Sequence, residues 1–434
     1  MNTPRFPWRK ALGRLLRGRV PAQLVVQYTD RCNALCAQCG MNARARFLRS
    51  TLHADAAVAL VDAAAEKGIL ALSFTGGEPL LYLGEIAELS RRARAKGIPF
   101  VRTGTNGFLF RGWERPDFSD RMRHLAETIA ESGLNNFWIS LDSADAGLHE
   151  QNRGLPGVVR GLEKALPAFR EFGLFPAANL GLNRLAGGAQ PAPDAEADPE
   201  GFQAHFRDGL RRFFSRVESL GFSTANACYP MSLPEESASR EAVYAATSAA
   251  DMIRFSRAEL ALLYAALSQA VAGFRHRLRI FTPLSALLAL AREARGQAAR
   301  FPCRGGIDFF FVQAGGLTAY PCGYRGSEPL GEFPDLDLAR IPRAASCSAC
   351  HWECFRDPSV LAGPVLELLA HPLAGAARLL EDRELTRLWL EDLRYYRACN
   401  GFGLRVPPDF FALAHFARSQ DRVAGASIEP APAR

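Results

Sequence analysis

From residue 23 to about residue 228 one pattern recurs: a short apolar run rich in β-branched and aromatic residues, a turn bearing Gly or Asn, and a longer stretch with apolar positions three and four apart. The short runs are Leu24 to Tyr28, Leu70 to Phe74, Pro99 to Thr103, Asn136 to Leu141, Phe175 to Leu180 and Phe222 to Ala227. Helical periodicity follows at Ala57 to Lys67, Gly84 to Lys96, Asp120 to Ser132, Val158 to Phe172 and Phe202 to Leu220. Alternating strands and helices imply parallel strands joined by right-handed crossovers. Six units are too few to close an eight-stranded barrel, so the expected fold is α/β, an open, partial (βα)6 barrel with its chemistry at the C-terminal strand ends.

Outside that repeat the texture changes three times. Residues 186–200, rich in Ala, Pro, Gly and Asp, predict a mobile surface loop. Residues 233–300 are almost wholly helical in pattern, with Leu260, Leu262, Leu263 and Leu267 on a buried stripe. Next come Phe309 to Val312, the glycines Gly315 and Gly316, and Tyr320 to Cys322, which predict a hairpin with a cysteine near each base. The expected division is a basic N-terminal helix (1–20), the barrel (21–232), a helical linker (233–300), a small cysteine-rich hairpin domain (301–357), C-terminal helices (358–420) and a disordered tail (421–434).

Composition narrows the class. The chain has 434 residues, 48% hydrophobic and 22% charged, which is globular composition for two or three packed regions. No apolar run approaches the roughly 18 residues of a membrane-spanning helix. Six of the seven net positive charges sit in residues 1–19, as Arg5, Arg9, Lys10, Arg14, Arg17 and Arg19, so no nucleic-acid surface is expected elsewhere. With Phe6, Trp8, Leu12, Leu15 and Leu16 between those charges, the segment suits either peripheral membrane contact or a cover for the barrel's open bottom. The cover is the favoured expectation, because Arg outnumbers Lys 48 to 4 along the whole chain.

Ten cysteines could mean disulfides or metals, and their spacing decides. Cys32, Cys36 and Cys39 form one tight group; Cys347, Cys350 and Cys354 form another, with Cys303 and Cys322 upstream. Close neighbours rarely meet disulfide geometry, whereas thiolates at this spacing converge on metal centres. Arginines interrupt any signal-peptide core, so a reducing, cytoplasmic setting is expected. Cys228 and Cys399 stand apart and read as buried structural thiols.

The first group follows the first strand as C-x3-C-x2-C. Three thiolates there can hold three irons of a 4Fe-4S cubane and leave the fourth iron open to a cofactor, whereas zinc sites are usually closed by four ligands. This spacing resembles the signature of the radical S-adenosylmethionine (radical SAM) superfamily, whose domain is a TIM-type partial barrel. Thr75-Gly76-Gly77-Glu78-Pro79, after the second strand, is similar to the superfamily's turn for the methionine amino group. Thr103-Gly104-Thr105-Asn106-Gly107 is similar to its Thr-Asn-Gly turn. Ser140 and Asp142, with Asn152-Arg153-Gly154 beyond, resemble the segment that meets the ribose and carboxylate. Gly76, Gly77, Glu78, Asn106, Ser140, Asp142 and Arg153 are therefore the expected cofactor contacts. Gln38 departs from the family, which often places an aromatic residue before the third cysteine.

Cys303, Cys322, Cys347, Cys350 and Cys354, over roughly 303–357, resemble the twitch or SPASM extension that follows many such barrels. Five cysteines imply one auxiliary 4Fe-4S cluster, with one of the last three left over. The resemblance as a whole implies an enzyme that reductively cleaves S-adenosylmethionine to a 5′-deoxyadenosyl radical and takes hydrogen from a small molecule or lipid, with flavodoxin or ferredoxin as electron donor. Oxidation or crosslinking of a ribosomal peptide is the alternative within that class. A non-catalytic iron-sulfur or zinc scaffold is the alternative outside it.

Overall fold

The computed structural model describes residues 7–20, 22–43, 49–232, 242–401, 403 and 405–419. Ten strands form one sheet: β1 (Gln23–Thr29), β2 (Ala71–Gly76), β3 (Phe100–Thr105), β4 (Asn136–Ser140), β5 (Ala177–Gly181), β6 (Thr224–Cys228), β7 (Arg279–Ile280), β8 (Phe309–Val312), β9 (Thr318–Tyr320) and β10 (Gly331–Glu332). Their order is β10-β9-β8-β1-β2-β3-β4-β5-β6-β7, and β1 to β6 pair in parallel with sequential neighbours, the α/β partial barrel expected. Alternation sorts the side chains. In β4, Phe137 and Ile139 are buried with the helices, Phe137 stacking on Phe169 at 5.9 Å, while Trp138 and Ser140 take the lumen face. The helix behind them, Val158–Glu171, buries Leu162, Ala165, Leu166 and Phe169, the i, i+3, i+4, i+7 stripe of an amphipathic helix.

The sheet runs further than six strands at both edges. The hairpin of β8 and β9 lies against the barrel, with β8 paired in parallel to β1 from Gln23↔Phe309 to Val26↔Val312. At the other edge β7 pairs with β6, inside a stretch whose pattern is helical. Two residues carry too little periodicity to announce a strand. Arg279 is held there by donating to the carbonyls of Cys399 at 2.7 Å and Val406 at 2.9 Å. The linker's helices are Arg257–Phe274 and Leu284–Ala294, whereas residues 242–256 are irregular apart from one short 3-10 turn. Helices Glu353–Ala370, Pro372–Glu381 and Arg383–Ala398 follow the hairpin, and the expected tail at 421–434 lies outside the described residues.

Part of residues 186–200 packs rather than floats. Gly187 approaches Gly209 so closely that a Cβ would sit 2.3 Å from its Cα, and Arg212 donates to the Gly187 carbonyl at 3.1 Å. The N-terminal helix, Trp8–Leu15, buries Ala11 and lies at the N-terminal end of the strands. Arg14 donates to the carbonyls of Val20 and Gly68, and Arg19 to those of Ile307, Leu338 and Ile341 at 2.9, 2.7 and 2.9 Å. Trp8, Leu12 and Leu16 face outward. Among the described residues no helix is long and apolar enough to cross a membrane.

Candidate functional site

The cysteine loop leaves β1 and is fixed from three sides. Leu35 donates its N–H to the Arg153 carbonyl at 2.8 Å, Cys39 donates to the Cys36 carbonyl at 3.2 Å, and Gly40 donates to the Ala246 carbonyl at 3.0 Å. The Asn106 amide reaches Asn33 Oδ1 at 2.9 Å and Cys32 Sγ at 3.6 Å. Burial pushes all three thiols up, Cys36 to about 12. Three soft sulfurs held protonated in one small loop form a donor set that a metal centre would ionise on binding. Among the described residues no three Cys, His, Asp or Glu side chains converge tightly enough to grip a single ion. A cubane presents separate irons to separate thiolates, so this donor set fits a 4Fe-4S cluster.

Gly76 and Gly77 serve a packing purpose that the sequence does not reveal. A Cβ on Gly76 would lie 2.3 Å from the Thr29 carbonyl oxygen, and one on Gly77 would lie 2.2 Å from that of Arg31. Only glycine lets the turn after β2 seat against the cysteine loop, where Gly77 donates to Thr29 at 2.7 Å and Glu78 to Arg31 at 2.9 Å. The Glu78 carboxylate is fully buried and accepts the N–H groups of Asn106 at 2.6 Å and Leu80 at 3.0 Å. Burial raises its pKa to about 7, against the opposing pull of those donors. Glu78 thus ties the second turn to the third.

Asp142 is turned inward. Arg153 grips it through Nε at 2.7 Å and Nη2 at 2.8 Å, Gln38 donates to it at 3.1 Å, and Asn152 donates to Gln38 Oε1 at 2.7 Å. Burial works against the carboxylate, yet the Arg153 guanidinium holds it below the usual range. The Asp142 N–H donates to Nδ1 of His149 at 3.1 Å, and burial keeps that imidazole neutral, its pKa pushed down to about 4. Ser140 and Asp142 do not share one strand: β4 ends at Ser140, and the Asp142 oxygens accept from Arg153, Gln38 and, at 3.4 Å, Asn152. The Ser140 hydroxyl, half-buried beside Asn179, has no hydrogen bond among the described residues. Gln38, a departure in the sequence, is the link between cysteine loop and clamp, and its carbonyl also accepts from Ser248 at 2.7 Å.

The second cysteine group divides. Cys303 donates its N–H to the Cys347 carbonyl at 2.8 Å, the nearby Cys322 thiol and burial push Cys350 well above its ordinary range, and Cys303 has Cys350 and Cys347 as electrostatic neighbours. Burial pushes Cys303 up to about 12. Cys354 faces other company: its thiol donates to Glu353 Oε1 at 3.2 Å, and its charged neighbours are Glu353, Arg102 and Asp357. One turn of helix separates the two directions, since Cys350 precedes helix Glu353–Ala370 and Cys354 lies in its first turn. The lumen also holds Arg102, Asn179, Asn226 and Cys228 from β3, β5 and β6. Period-two alternation would have placed them there, but nothing in the sequence marks Glu353 as their neighbour.

Residues 26–182 match the family model of the Radical SAM superfamily. The chain is 30% identical over 148 residues to the AdoMet-dependent heme synthase of Nitratidesulfovibrio vulgaris, covering 34% of this chain and 37% of that protein. It is 33% identical over 160 residues to GTP 3',8-cyclase 2 of Mycobacterium bovis, covering 35% of this chain and 40% of that protein. The chain thus spans about two-fifths or less of the length of these curated relatives. Native anSMEcpe with bound AdoMet and Cp18Cys peptide is similar in fold, with a TM-score of 0.50 and 14% identity over 81% of this chain and 98% of that one.

Proposed function

We propose that residues 26–182, which match the Radical SAM superfamily model, form a radical SAM enzyme domain in which Cys32, Cys36 and Cys39 hold the 4Fe-4S cluster at which S-adenosylmethionine binds. When bound, that pair supplies the 5′-deoxyadenosyl radical that takes hydrogen from substrate. The observation that carries the reading is the bonding of cysteine loop, Glu78 turn, Asn106 turn and Arg153 clamp into one unit at the C-terminal ends of β1 to β4. Within it Gly76, Gly77, Glu78 and Asn106 shape the amino-group side, the free Ser140 hydroxyl faces the ribose side, and Asp142 orients Arg153 toward the carboxylate side. Cys303, Cys322, Cys347 and Cys350 hold one auxiliary 4Fe-4S cluster, and Cys354 is not a ligand. A flavodoxin- or ferredoxin-type donor supplies the electron.

The substrate we favour is a compact polar molecule. Arg102, Asn179, Asn226 and Glu353 offer it hydrogen bonds, and residues 244–248 lie against the cysteine loop, where Ser248 donates to the Gln38 carbonyl at 2.7 Å and Tyr244 meets Thr75 at 3.2 Å. A lipid is less well supported, because Arg14 and Arg19 donate to protein carbonyls and the N-terminal helix serves as a cover. A peptide is the second reading. β10 is exposed and is the last strand on its side of the sheet, an edge that an extended chain could extend, and the solved structure of similar fold contains a peptide.

Anaerobic reconstitution tests the core of this reading. Two cubanes give about eight irons per chain, and replacing Cys32, Cys36 and Cys39 together by Ala should leave roughly half. Cys36→Ala should fold and yet form no 5′-deoxyadenosine from S-adenosylmethionine and dithionite. Wild-type yield from that variant would overturn the assignment.

A further inference from the structure

Three thiols remain outside both proposed ligand sets, Cys228, Cys354 and Cys399, and the fold brings the first two together. Cys228 is the last residue of β6, at the strand ends where a barrel places its chemistry. Cys354 enters from the first turn of helix Glu353–Ala370. Both sulfurs hydrogen-bond the same oxygen, Oε1 of Glu353, each at 3.2 Å, so they lie within two hydrogen-bond lengths of one another. The other carboxylate oxygen, Oε2, is buried and has no hydrogen-bond partner among the described residues. Leaving such an atom unmatched is costly unless something else docks on it.

Polar side chains reach the pair, and Cys354 also packs against the apolar cluster that includes Phe309, Phe311, Trp352 and Phe355. Asn179 donates to Cys228 Sγ at 3.2 Å, Asn226 donates to Asn179 at 3.1 Å, and Arg102 is an electrostatic neighbour of both Glu353 and Cys354. Tyr244, whose hydroxyl meets Thr75 Oγ1 at the end of β2 at 3.2 Å, is within electrostatic reach of Cys39 of the first cysteine loop, Cys228 and Cys354, so the thiol pair lies toward the cofactor side of the lumen. Burial pushes both thiols well above their ordinary range, so they keep their hydrogens. Apolar packing alone gives a cysteine no need for a carboxylate shared with a second thiol.

We propose that Cys228 and Cys354 form a dithiol that delivers hydrogen to a substrate radical in the lumen, with Glu353 receiving the proton of the second thiol. The inference rests on the radical SAM reading. In the first step a carbon-centred substrate radical takes a hydrogen atom from one thiol: a C–H bond forms, an S–H bond breaks, and the unpaired electron passes to sulfur. The second thiol then gives its proton to Glu353 and its sulfur bonds to the first. One electron leaves to an oxidised iron-sulfur cluster, and a disulfide remains. An external dithiol reductant resets the pair. The substrate is thereby one whose radical is quenched by hydrogen return, giving an epimerised or reduced product instead of a desaturated one.

The test reads the thiols directly. Cluster-loaded protein is treated anaerobically with diamide, a two-electron thiol oxidant, quenched with iodoacetamide in denaturant and digested. Mass spectrometry should find the Cys228 and Cys354 peptides joined, separable by dithiothreitol, and no such species from Cys228→Ser. In parallel, Cys354→Ser should keep the iron content of the parent. Absence of the linked peptide, or loss of roughly four irons from Cys354→Ser, overturns the proposal. Neither result depends on S-adenosylmethionine cleavage, so a failure here is distinct from a failure of the radical reading, which 5′-deoxyadenosine formation reports.

Discussion

At the scale of single residues, the site is built from charges that the fold has removed from water. Glu78 is the clearest case: burial lifts its pKa from 4.5 to about 7. A carboxyl raised in the folded state favours folding fully below its unfolded pKa, and that contribution is lost as pH rises through the folded value. The cluster-free protein should therefore lose on the order of 3 kcal/mol between about pH 4.5 and 7 from this group. Glu78→Gln should flatten that part of the curve in denaturant titrations, and parallel curves for the two proteins would refute the assignment. Arg153 makes the complementary case. Its two bonds to Asp142 need the planar guanidinium, so Arg153→Lys keeps the charge, breaks the pair of contacts and should cost about 2 kcal/mol. Equal unfolding midpoints for wild type and variant would show that one contact suffices.

Elements meet at the site through backbone as well as side chains. The turn after β2 touches the cysteine loop across Gly77, where a methyl would lie 2.2 Å from the Arg31 oxygen. Gly77→Ala should therefore destabilise by about 1–3 kcal/mol and loosen the cysteine loop, seen as a lower iron yield on reconstitution. Full iron and an unchanged midpoint would mean that the turn can retreat without consequence. At the opposite end of the barrel, Arg19 secures the N-terminal helix through three carbonyls and lies 3.6 Å from buried Asp308. Arg19→Ala leaves those acceptors without a donor, and a loss of about 3 kcal/mol is expected, measurable by thermal unfolding. A truncation lacking residues 1–19 should behave worse still, with light scattering reporting aggregation.

On the scale of the whole molecule, the hairpin and the barrel form one sheet, since β8 pairs with β1. Helix Glu353–Ala370 follows that hairpin, and Glu353 in its first turn meets Cys228 of β6 while Cys350, just before it, lies near Cys303 and Cys322. Cys350→Ser and Cys354→Ser should accordingly differ: the first loses roughly half the iron and the second none. Equal iron loss from both would return Cys354 to the auxiliary cysteine set.

Hydrophobic periodicity determined the six parallel strands and the five longest helices between them, because each strand and long helix announces its own period locally. Local spacing likewise marked Cys32, Cys36 and Cys39 and the turns at Glu78 and Asn106, since each is a short segment at a strand end. Other features needed the tertiary structure. β7 has two residues and no period, and its pairing is set by Arg279 and the C-terminal chain. The inward role of Asp142 depends on Arg153 and on Gln38, 104 residues away in the chain. The meeting of Cys228 with Glu353 spans 125 residues, and such long-range neighbours leave no periodic trace in either segment. Sequence names the residues that local geometry aligns; only the assembled sheet and its helices decide which distant groups share one buried volume, because buried polar groups must find their partners among whatever the fold brings near.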